Sequence, residues 1–155
     1  EATVRVLTRN GIEVHLTGGQ GCCGALNTHS GEPDSAIEMA KKNIDSFLSA
    51  SPDAIVSASA GCGAAMKDYG ELLANETEYA AKAEQVAELT KDIHELLVEY
   101  EFEAPTKALD VTVTYQDPCL LANVQRITDA PRAILNAIPG LKLVDLGEAA
   151  LCCGS

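Results

Sequence analysis

Gly21-Cys22-Cys23-Gly24 is the stretch on which the reading of this chain turns, because it returns near the other end as Leu151-Cys152-Cys153-Gly154. Each copy follows a glycine and a short run rich in apolar residues. Gly11-Ile12-Glu13-Val14-His15-Leu16 leads into the first, and Gly140-Leu141-Lys142-Leu143-Val144-Asp145-Leu146 into the second. Gly11 and Gly140 lie 129 positions apart and Cys22 and Cys152 lie 130 apart, so one inserted residue separates the two registers. A pattern repeated at one offset and ending each time in vicinal cysteines reads as a duplicated domain whose paired cysteines hold a metal cluster.

Composition narrows the partners. With 155 residues, 46% of them hydrophobic, the chain can build a packed core as one ordinary domain or two small ones. Aromatic residues are 4% and Trp is absent, so Ala, Val, Ile and Leu must do the packing. A net charge of −12 and a pI near 4.5 argue against nucleic acid and against a lipid surface, both of which need basic clusters. No apolar run approaches the roughly 20 residues of a membrane span. Glu1 opens an amphipathic stretch, not a charged-then-apolar leader. A reducing cytoplasm is therefore the expected setting, and metal ligation the expected use of six cysteines.

Along the chain, Ala2 to Asn10 reads as a helix closed by Asn10-Gly11, and Ile12 to Leu16 as a short strand. Four glycines between 18 and 24 let the backbone fold tightly around the first cysteines. Pro33-Asp34-Ser35 opens a helix, with Ser35 and Glu38 at capping-box spacing and an apolar stripe of Ala36, Ala40, Ile44, Phe47 and Leu48. Ala54 to Ala58 reads as a buried strand, followed by Cys62 just before a helix that carries Met66, Tyr69, Leu72 and Leu73. Tyr79 to Tyr100 reads as one long helix with Val86, Leu89, Ile93, Leu96, Leu97 and Tyr100 on its apolar face. A linker with Pro105, a strand from Leu109 to Tyr115, a helix start at Asp117-Pro118-Cys119, a helix from Ala130 to Ile138 and a strand from Leu141 to Leu146 complete the pattern. This alternation predicts an α/β fold with mostly parallel strands, and the cysteines follow strand ends, where such sheets place ligands.

The cysteines form two sets. Cys22, Cys23 and Cys62 make the first, with 38 residues between Cys23 and Cys62, and Cys119, Cys152 and Cys153 the second, with 32 residues between Cys119 and Cys152. Thiolates converging from separate loops suit a soft metal cluster. A helix N-terminus would favour the thiolate of Cys119, and of Cys62 in the same way. Three other readings stand beside it. Cysteines can be small core residues. They can form disulfides. They can bind zinc, although the usual C-x-x-C knuckle is missing.

At these residues the chain resembles the cysteine-rich CCG-domain family, in which a lone Cys precedes Cys-Cys-Gly by some thirty-odd residues and a further Cys or C-x-x-C follows. Cys119 with Cys152-Cys153-Gly154 matches the first part of that repeat, and Cys22-Cys23-Gly24 with Cys62 the later part. Within the family, the stretches Gln20 to Leu26, Ala60 to Ala64 with Lys67, Tyr69 and Gly70, and Asp117-Pro118-Cys119 resemble glycolate oxidase iron–sulfur subunits. The resemblance implies duplicated Rossmann-like CCG domains, with short, mostly parallel sheets covered by helices. The first repeat would span 1–104 without its N-terminal part, and the second 105–155 without its C-terminal part. It implies an iron–sulfur cluster of the [4Fe-4S] kind, with all six cysteines as ligands and no catalytic residue of the chain's own. It also implies a hetero-oligomer with flavin-containing subunits that oxidise glycolate or another 2-hydroxy acid and pass electrons to a membrane acceptor. The place would be the cytoplasm, at the inner face of the membrane through those partners.

Two departures qualify the match. Heterodisulfide-reductase-B-like relatives carry C-x-x-C after CCG, whereas position 65 here is Ala65, and the ferredoxin-like cysteine motifs of the full subunits are missing. A thiol/disulfide redox subunit of that kind and a zinc-stabilised interaction module are the alternatives. By the repeat offsets, each set has three of four expected thiolates. The others would fall about ten residues before Glu1 and near residue 192, so the isolated fragment is expected to be inactive and to hold a cluster loosely. Of the remaining residues, His29 reads as a solvated loop side chain near the cysteines, His15 and His94 as structural, Lys67 as a surface lysine and Asp117 as a cap. The glycines at 18–24 are no phosphate loop, since no Lys-Ser/Thr follows.

Overall fold

The computed structural model of the protein describes residues 1–152 and 154. In chain order the helices are α1 (Ala2–Arg9), α2 (Ala25–His29), α3 (Pro33–Leu48), α4 (Ala60–Lys67), α5 (Tyr69–Leu72), α6 (Ala80–Leu89), α7 (Ile93–Glu99) and α8 (Asp129–Asn136). A π-helical turn covers Leu120–Val124. The strands are β1 (Ile55–Ser57), β2 (Thr90–Asp92), β3 (Val111–Val113) and β4 (Leu141–Leu143). Both strand pairs are parallel: Ile55 faces Thr90 in one, and Val111 faces Leu141 in the other. Parallel neighbours need long crossovers, here made by helices, and the fold is α/β.

The chain divides into two compact units. One runs Glu13–Asp92, and the other joins Glu1–Ile12 to the residues from Ile93 onward. In the first unit, Ala40 and Ile44 of α3 pack with Ile55, Met66, Tyr69, Leu73, Ala83, Val86 and Cys23. The expected stripe of α3 is buried at Ala36, Ala40 and Ile44, all fully inaccessible. Burying an Ile or Leu side chain this completely contributes about 1.5–3 kcal/mol. In the second unit, Leu7, Leu96, Leu97, Leu121, Ala122 and Ile127 are buried. Pro131 is also buried there, in the first turn of α8, where its missing N–H costs nothing.

Four local expectations change. The pattern at 79–100 is two helices with β2 between them: Thr90 leaves the helix at φ −74°, ψ 122° and its hydroxyl donates to the Val86 carbonyl at 2.7 Å. A β-branched residue favours that extended geometry, and β1 supplies the ladder that makes it worthwhile. Tyr100, expected on the apolar face, is 55% exposed. Ile12 to Leu16 forms no strand, because no strand lies beside it among the described residues to complete a ladder. At the start of α3 the cap is Glu32 with Pro33 in the first turn and no side-chain cap bond, so the Ser35–Glu38 capping box is not formed.

Candidate metal centre

The first cysteine pair sits on a loop gripped from beneath. Asn43 on α3, 1% exposed, accepts the Gly21 N–H through Oδ1 at 2.7 Å and donates Nδ2 to the Cys22 carbonyl at 2.8 Å. Tyr69 on α5, fully buried, donates its hydroxyl to the Cys23 carbonyl at 2.9 Å and accepts from Asn43 Nδ2 at 3.3 Å. Ser46, one turn along α3, donates to the Gly18 carbonyl at 2.9 Å. Gly24 closes the motif with φ +85°. A Cβ there would stand 3.2 Å from the Ala36 Cα and carbonyl oxygen, so glycine is required both by conformation and by the approach of α3.

Cys62 comes from the other direction. It lies within the first turn of α4, not before it as the sequence suggested, and that helix follows β1 with Ser59 as its N-cap. Cys62 packs against the buried cluster that contains Cys23. Burial, more than anything else, pushes the Cys23 thiol up to about 11; a bond from the Ala25 backbone opposes this, and the Cys62 and Cys22 thiols add to it. Tyr69 is pushed up to about 12, first by burial, against the Asn43 hydrogen bond that lowers it, with Cys23, Cys22 and Cys62 all contributing repulsion. The cysteine pair is thus seated on one buried Tyr–Asn pair, with Cys62 packed against the same cluster. Cys23 is 8% exposed and part of the core, Cys62 half-buried, and Cys22 exposed.

The second set is tied differently. Gln116 Nε2 donates to the carbonyls of Ala149 and Leu151, both at 2.8 Å, and the Asp117 N–H also donates to Ala149 at 2.9 Å. The segment before Cys119 is therefore laced to the segment before Cys152. Asp117 does not cap a helix. Its carboxylate, 7% exposed, takes two hydrogen bonds from the Arg132 guanidinium at 2.7 and 2.8 Å, which hold it below the usual aspartate range. Arg132 also lies over the Tyr115 ring at 5.4 Å. Cys119 is the residue before the π-helical turn and is half-buried, while Cys152 is exposed. Cys153 lies outside the described residues.

The five described cysteines are free thiols. Among the described residues no three His, Cys, Asp or Glu side chains stand ready-spaced around a single ion. The donor chemistry nevertheless suits a soft metal. The buried Cys23 thiol, which resists ionisation alone, would be stabilised as a thiolate by the charge of a bound metal. His29 ends α2 and is exposed, as a solvated side chain should be. His15 is exposed too, 3.2 Å from Glu13. Reading the sequence missed Asn43, although it falls on the α3 stripe seven residues after Ala36 and three after Ala40. A polar residue at a core position was the available signal. Gln116 and Arg132 gave no such signal.

The family model of the CCG cysteine-rich domain matches residues 1–67 and 113–155, covering both cysteine sets. The chain belongs to that family. It is similar to the "Probable glycolate oxidase iron-sulfur subunit" of Bacillus subtilis, 37% identical over 99% of this chain and 35% of the relative. It is likewise similar to the "Glycolate oxidase iron-sulfur subunit" of Escherichia coli, 38% identical over 99% of this chain and 38% of the relative. A lactate utilization protein of Shouchella clausii is 33% identical over 98% of this chain and 63% of the relative. The chain thus spans little more than a third of the length of the two glycolate oxidase subunits. No solved structure matches it.

Proposed function

We propose that this chain is part of an iron–sulfur electron-transfer subunit of a glycolate or related 2-hydroxy-acid oxidase. The observation that carries the reading is the match of the CCG family model across both cysteine sets, supported by the packing of Cys62 against the cluster that holds Cys23 and by the names of the relatives. Oxidising a 2-hydroxy acid to the 2-oxo acid at a flavin partner releases two electrons and two protons, and a [4Fe-4S] cluster supplies one-electron transfer toward a membrane acceptor. The residues proposed to hold such clusters are Cys22, Cys23 and Cys62 in one set and Cys119, Cys152 and Cys153 in the other. This chain's part is to hold the sulfurs in place and to keep the buried side of Cys23 dry. Among the described residues no helix is long and apolar enough to cross a membrane; association with the membrane through the flavin partners is part of the same proposal.

The repeat reading, 1–104 and 105–155, belongs to the same proposal. Gly11 and Gly140 share φ values of +76° and +78°, and Gly24 and Gly154 share +85°. Exposure alternates in the same order at 12–16 and 141–145. A thiol/disulfide redox role is less favoured, because Ala65 stands on α4 one turn beyond Cys62 where a further thiol would be needed. The test is anaerobic reconstitution with iron and sulfide, followed by electron paramagnetic resonance of the reduced protein. A signal from a reduced cluster supports electron transfer. Retention of zinc with no such signal would favour an interaction module instead.

A further inference from the structure

Two buried side chains spend their hydrogen bonds on the backbone of one dipeptide. The direction of a residue's Cα–Cβ bond is fixed when the peptide planes on both sides of its Cα are fixed, since each plane is rigid, and only rotation about χ1 remains. Cys23 stands between two held planes: Asn43 Nδ2 holds the Cys22 carbonyl at 2.8 Å, and the Tyr69 hydroxyl holds the Cys23 carbonyl at 2.9 Å. The Asn43 amide is itself oriented, because its Oδ1 takes the Gly21 N–H at 2.7 Å and so turns Nδ2 toward Cys22 and Tyr69. No bond of this network reaches the plane between Gly21 and Cys22, and Cys22 is exposed. The network therefore sets the Cα–Cβ direction of Cys23 and confines its sulfur to the few χ1 positions about it, while Cys22 stays adjustable.

We infer that Asn43 and Tyr69 are positioning residues that aim the Cys23 sulfur at Cys62, so that a soft metal meets one preset pair of thiolates and recruits Cys22 last. This rests on the reading of these cysteines as metal ligands. Neither residue touches the metal. Both act through the peptide carbonyls, as supporting groups behind first ligands commonly do, with metal affinity falling roughly ten- to a hundredfold when such support is removed.

The experiment uses the full chain, prepared without oxygen, with cobalt(II) as the probe and thiolate-to-cobalt charge-transfer absorption as the readout. Tyr69→Phe keeps the ring in the core and removes only the hydroxyl. Asn43→Asp keeps the shape and the acceptor for Gly21 but loses the donor to Cys22. Thermal unfolding, followed by circular dichroism, sets a temperature at which each protein is folded. Cobalt affinity lower by roughly tenfold or more in folded Tyr69→Phe, with weaker charge transfer, is the expected result. If Asn43→Asp fails to fold, Tyr69→Phe decides alone. Unchanged affinity and spectrum in folded Tyr69→Phe would overturn the inference, and so would a wild-type chain that binds no cobalt through thiolate. Iron and sulfide reconstitution of the wild type runs alongside. Cobalt effects without any cluster would leave the positioning role standing while removing the iron–sulfur reading.

Discussion

Replacing Gly24 by Ala tests the joint between the cysteine loop and the core. Two costs add at that position. A residue with a Cβ pays about 1–2 kcal/mol to hold a left-handed conformation, and Gly24 has φ +85°. The new methyl would also lie 3.2 Å from the Cα and carbonyl oxygen of Ala36 and 3.3 Å from its Cβ, on a helix whose Ala36 is fully buried. Backbone cannot step aside as a flexible side chain can, and forced overpacking costs about 1–3 kcal/mol. The sum, about 2–5 kcal/mol, is a large share of a typical domain's stability. In a unit the size of Glu13–Asp92 it lowers the melting temperature by at least about 8 °C. Two substitutions separate the contributions. Gly31→Ala has φ +78° with nothing within 4 Å, so it isolates the conformational cost. Gly18→Ala meets nothing within 4 Å and has no left-handed φ, so it stays within about 0.5 kcal/mol of wild type. Urea unfolding of the three variants gives the comparison. If Gly24→Ala and Gly31→Ala lose the same stability, the contact with α3 contributes nothing and the account of this joint fails.

Other outcomes follow from the same geometry. Asp117 is held below its usual range by Arg132, so its pairing stabilises the fold above the ordinary aspartate pKa and is lost as pH falls through the depressed folded value; stability should decline below about pH 4, and Asp117→Asn should flatten that decline while costing about 1–3 kcal/mol at neutral pH. In the metal-free protein, iodoacetamide should modify exposed Cys22 well before buried Cys23, whose thiol is raised to about 11; peptide mass mapping showing equal rates would contradict the buried setting. On the proposed repeat, Ile12–Leu16 would take a ladder partner from a segment that stands to it as β3 stands to β4. In a longer protein carrying that partner, amide exchange from Ile12 to Leu16 should slow, and unchanged exchange would count against the repeat. On the proposed ligand sets, three thiolates in each, air exposure should strip iron from the 155-residue chain; a stoichiometric, air-stable cluster would show that the six suffice.

What the sequence disclosed follows the physics of each signal. The α3 stripe was legible because Ala36, Ala40 and Ile44 recur at helical period and bury completely. The cysteine loop was legible because glycines at 18, 19, 21 and 24 punctuate it. β2 was not, because three residues are too few to show a period of two, and the apolar positions of α6 and α7 continue across it in helical register. Ile12 to Leu16 looked like a strand by composition, but a strand is a property of two partners. Asp117 looked like a cap because Asp-Pro is a common helix start. Its ion pair depended on Arg132, fifteen residues on, which no local pattern announces. The support under the cysteines was hidden for the same reason: Asn43 reaches back 21 residues to Cys22, and Tyr69 reaches back 46 to Cys23.

The central claim is that Cys22, Cys23 and Cys62 ligate iron and sulfide. It is tested most directly by iron, acid-labile sulfide and zinc per chain in anaerobically reconstituted wild-type protein and in Cys22→Ser, Cys23→Ser and Cys62→Ser, each checked for folding by circular dichroism. The account predicts iron and sulfide in equal amounts in the wild type, little zinc, and a clear loss of both in every folded serine variant, most severe for Cys23→Ser. Iron and sulfide that remain at wild-type levels after these substitutions, or zinc in their place, would contradict it.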